Sequence, residues 1–394
     1  MQLEFSQNQV SNPLPCIHSR CILLIKLIGT MRALYPSVAF MMSWSVVSGQ
    51  ALSFSQFYNL RTSLNPAYVS AVSGVEVVSG YRRQWSQIQE GVQTAYVSAA
   101  MHPCHLPFGL GLYVMETREP FFGYRQQAVG VQFGGFWGSG KTEDWSFHTG
   151  GQAGIGQQRV DFARLLFSGQ LDPLYGVVSA PPAFFQGDGS RVQTFDMGIG
   201  FVARGPWRSG KDYEVPMSWG FSVLHLAGGH DVSFLRIGGG QSTRWTGHGA
   251  VAFPLANEFR TRTVAYLNVL LRLEGESSLN RTTLGAIFQY DQVNFGLLYH
   301  SNRNPVNSRN TNALSLVLGA DLKFGKNIQC QLQYSLDGAL SGLGQGASGS
   351  GHELTAIITL PQTCVLPGLN AKGRNTWGRT NCFQFAGKGY RGFF

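Results

Sequence analysis

Charge is the first thing this sequence has little of. Asp, Glu, Lys and Arg make up 13% of its 394 residues, about half of the roughly 25% found in soluble globular chains. Long apolar runs are missing too. Beyond residue 48 no stretch is long and apolar enough to cross a membrane as a helix, which takes about 20 residues, and the mean hydropathy lies close to zero. Together these argue against both an ordinary soluble domain and a helical membrane protein. Cysteine is sparse, with six residues. Cys16 and Cys21 fall in a segment expected to be absent from the mature protein. Cys104, Cys330, Cys364 and Cys382 lack metal-ligand spacing, and a Cys364–Cys382 disulfide is the one pairing left open. A Ser/His/Asp set with a supporting motif is absent, as is a carboxylate pair suited to hydrolysis. The expectation is a non-enzymatic protein without cofactor or resident metal.

What is abundant is glycine, with 50 residues, together with 27 Phe and 14 Tyr. After residue 70 the dominant pattern has period two. Leu284, Ala286, Phe288 and Tyr290 alternate with Thr283, Gly285 and Gln289. After the break at Asp291–Gln292, Val293, Phe295, Leu297 and Tyr299 alternate with Asn294, Gly296 and His300. Such alternation reads as a hairpin with one apolar and one mixed face. About fourteen segments of this kind occur, near 74–83, 93–100, 108–115, 126–134, 145–154, 194–204, 215–226, 244–253, 262–273, 281–290, 293–300, 311–323, 327–335 and 351–360. An even number of strands of roughly ten residues is the pattern of a transmembrane β-barrel. Apolar-out, polar-in strands average to neutral hydropathy, and closure leaves no unpaired sheet edge in lipid. The longest connections, near 155–193, 227–243 and 336–350, are all odd-numbered, whereas Asp291–Gln292 and Gly325–Lys326 are even-numbered and short. Long outside and short inside is the outer-membrane rule. The competing reading is a large soluble β protein, but the chain has no propeller-like repeat. The fold expected is therefore an all-β outer-membrane barrel of about 14 antiparallel strands.

The start of the chain suggests export. Met31, Arg32 and the apolar stretch Ala33 to Val47 precede the small residues Ser48, Gly49, Gln50 and Ala51. This is the pattern of a signal peptide over 31–51, cleaved after Gly49 or Ala51. Residues 1–30 then read as an over-extended start or a leader. The net charge of +9 is spread singly except near the C-terminus, where Lys372, Arg374, Arg379, Lys388 and Arg391 lie in a basic tail over 361–394. That tail is read as a solvated periplasmic segment or protein contact, with no nucleic-acid partner.

Several motifs tempt and are discounted. Gly135 to Thr142 matches the Walker A pattern, but Glu143 to His148 run into another alternating strand where a P-loop needs a helix. His102, Cys104 and His105 lie between Pro103 and Pro107, which favours a turn over a tetrahedral metal site. Arg82, Asp196, Arg204, Asp321 and Glu353 fall within strands. In a barrel they should face the lumen, because charge on the lipid face costs a few kcal/mol at mid-depth.

The most specific segment follows the export signal. It reads Phe54-Ser55-Gln56-Phe57-Tyr58, then Leu64-Asn65-Pro66-Ala67-Tyr68, then Gly80-Tyr81-Arg82-Arg83-Gln84-Trp85. In order and spacing it resembles the start of the PorP/SprF family. Gly109–Leu112, Asp196–Gly200, Gly220–Leu226 and Gly351–Leu354 resemble later family elements, so the resemblance covers residues 52–360. Val69-Ser70 stands where the family usually has Ala-Gly, and the basic tail is a second departure. The resemblance implies a cell outer-membrane barrel of the type IX secretion and gliding machinery of Bacteroidota. It also implies partners: outer-membrane lipid, a secreted surface protein with a C-terminal sorting domain, and other components of the machinery.

The leading expectation is a barrel that takes part in export or surface anchoring of such a partner. The alternative is a passive channel or small-solute transporter. The 155–193 loop is apolar, with Phe162, Leu165, Leu166, Phe167, Pro181, Pro182, Phe184 and Phe185. Two readings of it stay open: an external partner contact and a plug folded into the lumen.

Overall fold

Period-two alternation needs a sheet with two unlike faces, and the computed structural model closes that sheet on itself. It describes residues 54–360, apart from 73, 87–90, 103–106, 121–122, 139–144, 162–169, 173, 178–190, 210–212, 228–241, 258–263, 277–278, 304–309, 325–327 and 341–349. The strands are β1 (Gly74–Arg83), β2 (Gln93–His102), β3 (Phe108–Glu119), β4 (Tyr124–Gly138), β5 (Ser146–Val160), the short pair β6 (Leu171–Asp172) and β7 (Gly176–Val177), β8 (Arg191–Ser209), β9 (Tyr213–Leu224), β10 (Arg244–Asn257), β11 (Val264–Glu276), β12 (Leu279–Tyr290), β13 (Val293–Arg303), β14 (Asn310–Phe324), β15 (Ile328–Ala339) and β16 (Gly351–Leu360).

Fourteen of them form one closed antiparallel barrel, each pairing with its neighbour in sequence, with β8 following β5. Closure is made by β1 on β16, from Val75 opposite Leu360 to Arg83 opposite His352. Every segment expected to be a strand is one. The β5 and β8 strands are longer than expected, reaching Val160 and beginning at Arg191. The connection predicted as 155–193 is therefore 161–190, because cross-strand pairing from Ile155 with Phe195 continues to Arg159 with Arg191. The Asp291–Gln292 turn is as tight as expected, with Asp291 in the left-handed region at φ 49°, which a short polar side chain tolerates.

The two faces separate sharply. Leu112, Val131, Phe133, Ile155, Ile199, Phe295, Leu297 and Leu318 point outward and are exposed. Between them Gln132, Ser218, Asn268, Thr283, Asn294, Ser315, Gln333 and Glu353 point inward and are buried. Near the end with short connections the outer wall carries exposed Trp137, Phe147, Trp207, Tyr290 and Phe324. Toward the other end it carries Tyr81, Tyr299 and Tyr334. Aromatic residues flanking an apolar band are what the two water–lipid interfaces select. Among the described residues no helix is long and apolar enough to cross a membrane.

Candidate functional site: the occupied lumen

Residues 54–72 are not part of the wall; they lie inside it. Every residue from Phe54 to Leu60 is buried, and so is every residue from Leu64 to Ser70. The segment holds a single helical turn, α1 (Arg61–Leu64), and a short 3-10 turn over Pro66–Ser70. Local sequence dictates the second turn. Asn65 is extended at φ −152°, and its side-chain oxygen accepts from the Ala67 N–H at 3.0 Å. Pro66 follows, where no N–H is needed and φ is already set.

The segment runs from the long-connection end toward the short-connection end. At its start, the Ser55 and Gln56 N–H groups donate to the two carboxylate oxygens of Glu353, at 2.7 and 2.9 Å. Arg82 pairs with Glu353 at 2.9 Å and with Asp337 at 2.8 Å, and the Ser55 hydroxyl donates to Asp337 at 2.7 Å. Arg82 also donates to the Ser55 hydroxyl. Buried charge persists only when paired and hydrogen-bonded, and here the luminal segment supplies part of the pairing. The Gln56 amide donates to Ser335 at 3.1 Å and accepts from Thr355 at 2.6 Å. Arg272 donates to the Phe54 carbonyl at 3.1 Å, with its guanidinium 4.9 Å from the centre of the Phe57 ring.

The middle and far end are tied just as closely. Thr62 lies 3.0 Å from the Tyr96 hydroxyl and 3.1 Å from that of Ser98, and its carbonyl accepts from Gln132 at 2.7 Å. Ser222 donates to the Leu64 carbonyl at 2.7 Å. The Asn65 amide donates to the carbonyls of Phe201 and Phe221 at 2.9 and 3.2 Å. The Tyr68 ring lies tilted on His248, 5.4 Å between centroids. Ser70 meets His148 at 3.1 Å, and Arg204 donates to the Ala71 carbonyl at 2.9 Å.

Apolar packing fills the rest. Phe57, Tyr58 and Leu64 pack with Leu270, Ile287, Leu298 and Val317 of the wall, while Phe54 and Leu60 pack with Val78, Tyr96, Tyr113 and Ile357. Glycine makes room where the segment touches the wall. A methyl group on Gly150 would sit 2.6 Å from the Pro66 carbonyl oxygen, and one on Gly109 would sit 2.2 Å from that of Val69. Gly80, Gly111, Gly134 and Gly200 make room for the segment in the same way.

The arrangement brings the sequence-selected residues together. Phe54, Ser55, Gln56, Asn65, Pro66, Ala67 and Tyr68 form the luminal segment, and Arg82 reaches in to hold its start. Gln84 and Trp85 lie beyond β1, with Trp85 exposed at φ 59°. Of the charged strand residues, Arg82, Arg204 and Glu353 are buried inside, and Asp196 accepts from Gln152 at 3.2 Å on the inner face. Sequence reasoning missed that the lumen is filled by the segment ahead of β1. The available signal was the apolar inward residues Leu270, Ile287, Leu298 and Val317, since a water-filled lumen asks for polar groups at such positions. Phe162, Leu165, Leu166, Phe167, Pro181, Pro182, Phe184 and Phe185 lie outside the described residues, as do Cys104, His105, Lys141, Thr142, residues 31–51 read as a signal peptide, and the basic tail. Gly135 to Gly138 belong to β4, and His102 is buried against Phe136.

The family model described as type IX secretion system membrane protein PorP/SprF matches residues 46–358. No curated protein matches. Among solved structures, a Pseudomonas aeruginosa FadL homologue is 12% identical, covering 75% of this chain and 92% of its own, with a TM-score of 0.38. The β domain of the Bordetella autotransporter BrkA is 11% identical, covering 74% and 99%, also at 0.38. The monoaromatic hydrocarbon channel CymD is 12% identical, covering 79% and 94%, at 0.39. The likeness is that of one barrel to another and extends no further.

Proposed function

Because the chain belongs to the PorP/SprF family of type IX secretion membrane proteins, we propose that it is a plugged, non-enzymatic barrel that takes part in export or surface anchoring of a partner protein with a C-terminal sorting domain. Its place is the outer membrane. One observation carries the reading beyond the family: residues 54–72 occupy the lumen and are tied to the wall along their length. A passive channel needs a continuous polar path, and the burial of side chains from both the segment and the wall along 54–72 supports a plugged barrel over a channel. What remains for function is the rigid scaffold and the connections it presents, where binding residues are usually carried. The connection over 161–190 is the partner contact of choice, since its sequence holds the apolar residues Phe162, Leu166, Phe167, Phe184 and Phe185, and such clusters mark contact sites where a connection presents them.

The test is capture of the tagged barrel from detergent-solubilised outer membrane after mild crosslinking, followed by mass spectrometry. Recovery of a large exported protein bearing a type IX sorting domain supports the proposal. Deletion of 162–185 in a correctly inserted barrel should then abolish that recovery. Recovery of the barrel alone, combined with steady conductance of the intact protein in a planar bilayer, would replace this reading with the channel.

A further inference from the structure

The outer wall carries a second feature that the luminal segment does not account for. Arg118 of β3 lies opposite Arg125 of β4, Arg125 opposite Arg159 of β5, and Arg159 opposite Arg191 of β8. The row thus crosses four neighbouring strands on the outward face. Like charges directly opposite one another in a sheet destabilise it, and this register places three such pairs in succession. Glu116 relieves part of the repulsion, holding Arg118 at 2.8 Å and also pairing with Arg125. Asp161 follows β5 at the same rim. Among the described residues the row sets four guanidinium groups against the carboxylates of Glu116 and Asp161, an excess of two positive charges. The Arg118 and Arg125 side chains are half exposed and Arg191 is exposed. Arg83 of β1 extends the outward positive arc beyond Gln93 of β2, which stands opposite both Arg83 and Arg118.

The wall is stratified below this row. One repeat down, Gln127, Gln157 and Gln193 form a second line in register, and one repeat further Val129, Ile155 and Phe195 form an apolar third. A shallow groove of about 520 Å³ is lined by these six residues, among others. From Gln127 to Trp137 on β4, and equally from Gln157 to Phe147 on β5, the strand advances ten residues. At about 3.4 Å per residue and a tilt of about 40° that is roughly 26 Å along the barrel axis, close to the ~25 Å of an outer-membrane apolar band. The amide line therefore lies at the edge of the hydrocarbon and the arginine row just outside it. This is the end with the long connections, which face the cell exterior.

We propose that the row Arg118, Arg125, Arg159 and Arg191 binds the phosphate groups of an outer-leaflet phosphorylated glycolipid. The amide line beneath meets the acyl-ester and sugar region, and the apolar groove takes an acyl chain. Guanidinium groups offer paired N–H donors that match phosphate oxygens, and a phosphate between neighbouring arginines converts the repulsion within the row into attraction. Glu116 keeps two of these groups side by side before any lipid arrives. The bound lipid would fix the barrel's rotation and its neighbours on the arc running from β3 to β8.

The experiment uses the full-length protein purified in a mild non-ionic detergent, with native mass spectrometry as readout. The probes are bis-phosphorylated lipid A, the same glycolipid with both phosphates removed, and inorganic pyrophosphate as competitor. The wild-type barrel should retain the phosphorylated lipid at least tenfold better than the dephosphorylated one. The variant R118Q/R125Q/R159Q/R191Q should lose that preference while keeping the heat-modifiable gel mobility of a folded barrel. Arg303→Gln, an outward arginine of β13 away from the row, should keep it. No preference in the wild-type protein would overturn the proposal even if the variant fails to fold. So would a preference that survives in the variant, or one lost equally in Arg303→Gln. Displacement of the lipid by pyrophosphate at equal concentration would assign the row to soluble phosphates and overturn the lipid assignment.

Discussion

Replacing Glu353 with alanine should free the start of the luminal segment while leaving the barrel intact. Glu353 is fully buried and carries three duties: it pairs with Arg82 at 2.9 Å and accepts the N–H groups of Ser55 and Gln56. Breaking a buried ion pair from one side costs about 3–5 kcal/mol. The low end applies here, because Arg82 keeps Asp337 at 2.8 Å. Each orphaned buried N–H adds about 1 kcal/mol or more. Neighbouring terms do not add fully, so a loss of about 4 kcal/mol is a fair working value, and at 1.4 kcal/mol per tenfold that is roughly a thousandfold in the local opening equilibrium. The wall strands should feel little of this, since β16 stays paired through its backbone with β1 and β15. The assay is amide hydrogen exchange by mass spectrometry in detergent. Peptides covering 54–60 should exchange about a thousandfold faster in Glu353→Ala, while peptides from β12 and β13 keep their protection. Glu353→Gln retains an acceptor and should fall between. Unchanged exchange over 54–60 in a folded Glu353→Ala barrel would refute the claim that this carboxylate latches the segment.

The other expectations test the same architecture from different sides. Deleting 54–72 with residues 1–53 kept should convert a silent barrel into one with stable open-pore conductance in a planar bilayer; a silent deletion would mean that something else closes the lumen. Gly150→Val should force the Pro66–Ala67 backbone away from the wall, at the ~1–3 kcal/mol typical of overpacking. Labelling of Thr62→Cys by a soluble thiol reagent should then rise severalfold relative to the same cysteine in the Gly150 background. Leu297→Arg places charge on the lipid face of β13, where Leu297 is 49% exposed, and should cost about 2–4 kcal/mol of barrel stability in lipid. That loss should appear in urea unfolding followed by gel mobility, and equal stability of the two proteins would contradict the assigned outward face.

How far the sequence could be read depended on where its information is local. Along these strands outward residues alternate with inward ones of a different kind, Leu284 beside Thr283 and Gly285, Phe295 beside Asn294 and Gly296, so Leu284 to Tyr290 and Val293 to Tyr299 announce their faces without reference to the rest of the chain, although inward Ile287 and Leu298 break the polar pattern. The same holds for the break at Asp291–Gln292. Strand ends were less legible. Gln157, Gln158 and Arg159 carry no apolar alternation, yet they continue β5 because β8 lies alongside to pair with them. Family-like residues such as Phe54, Gln56, Asn65 and Tyr68 stood out by order and spacing, but their role had no periodic signature.

The chain's composition and alternation alone determined that it is a closed membrane sheet of fourteen strands with long connections at one end, because lipid and backbone hydrogen bonding admit few other solutions for such a pattern. The tertiary structure alone decided what fills it. Glu353 meets Ser55 and Gln56 across 298 and 297 positions of sequence, and Asn65 meets Phe201 across 136. The row of four arginines likewise exists only once β3, β4, β5 and β8 lie side by side in one register. Contacts of that range leave no mark on the residues around them, since each partner reads as an ordinary polar side chain until closure of the barrel sets it opposite the other.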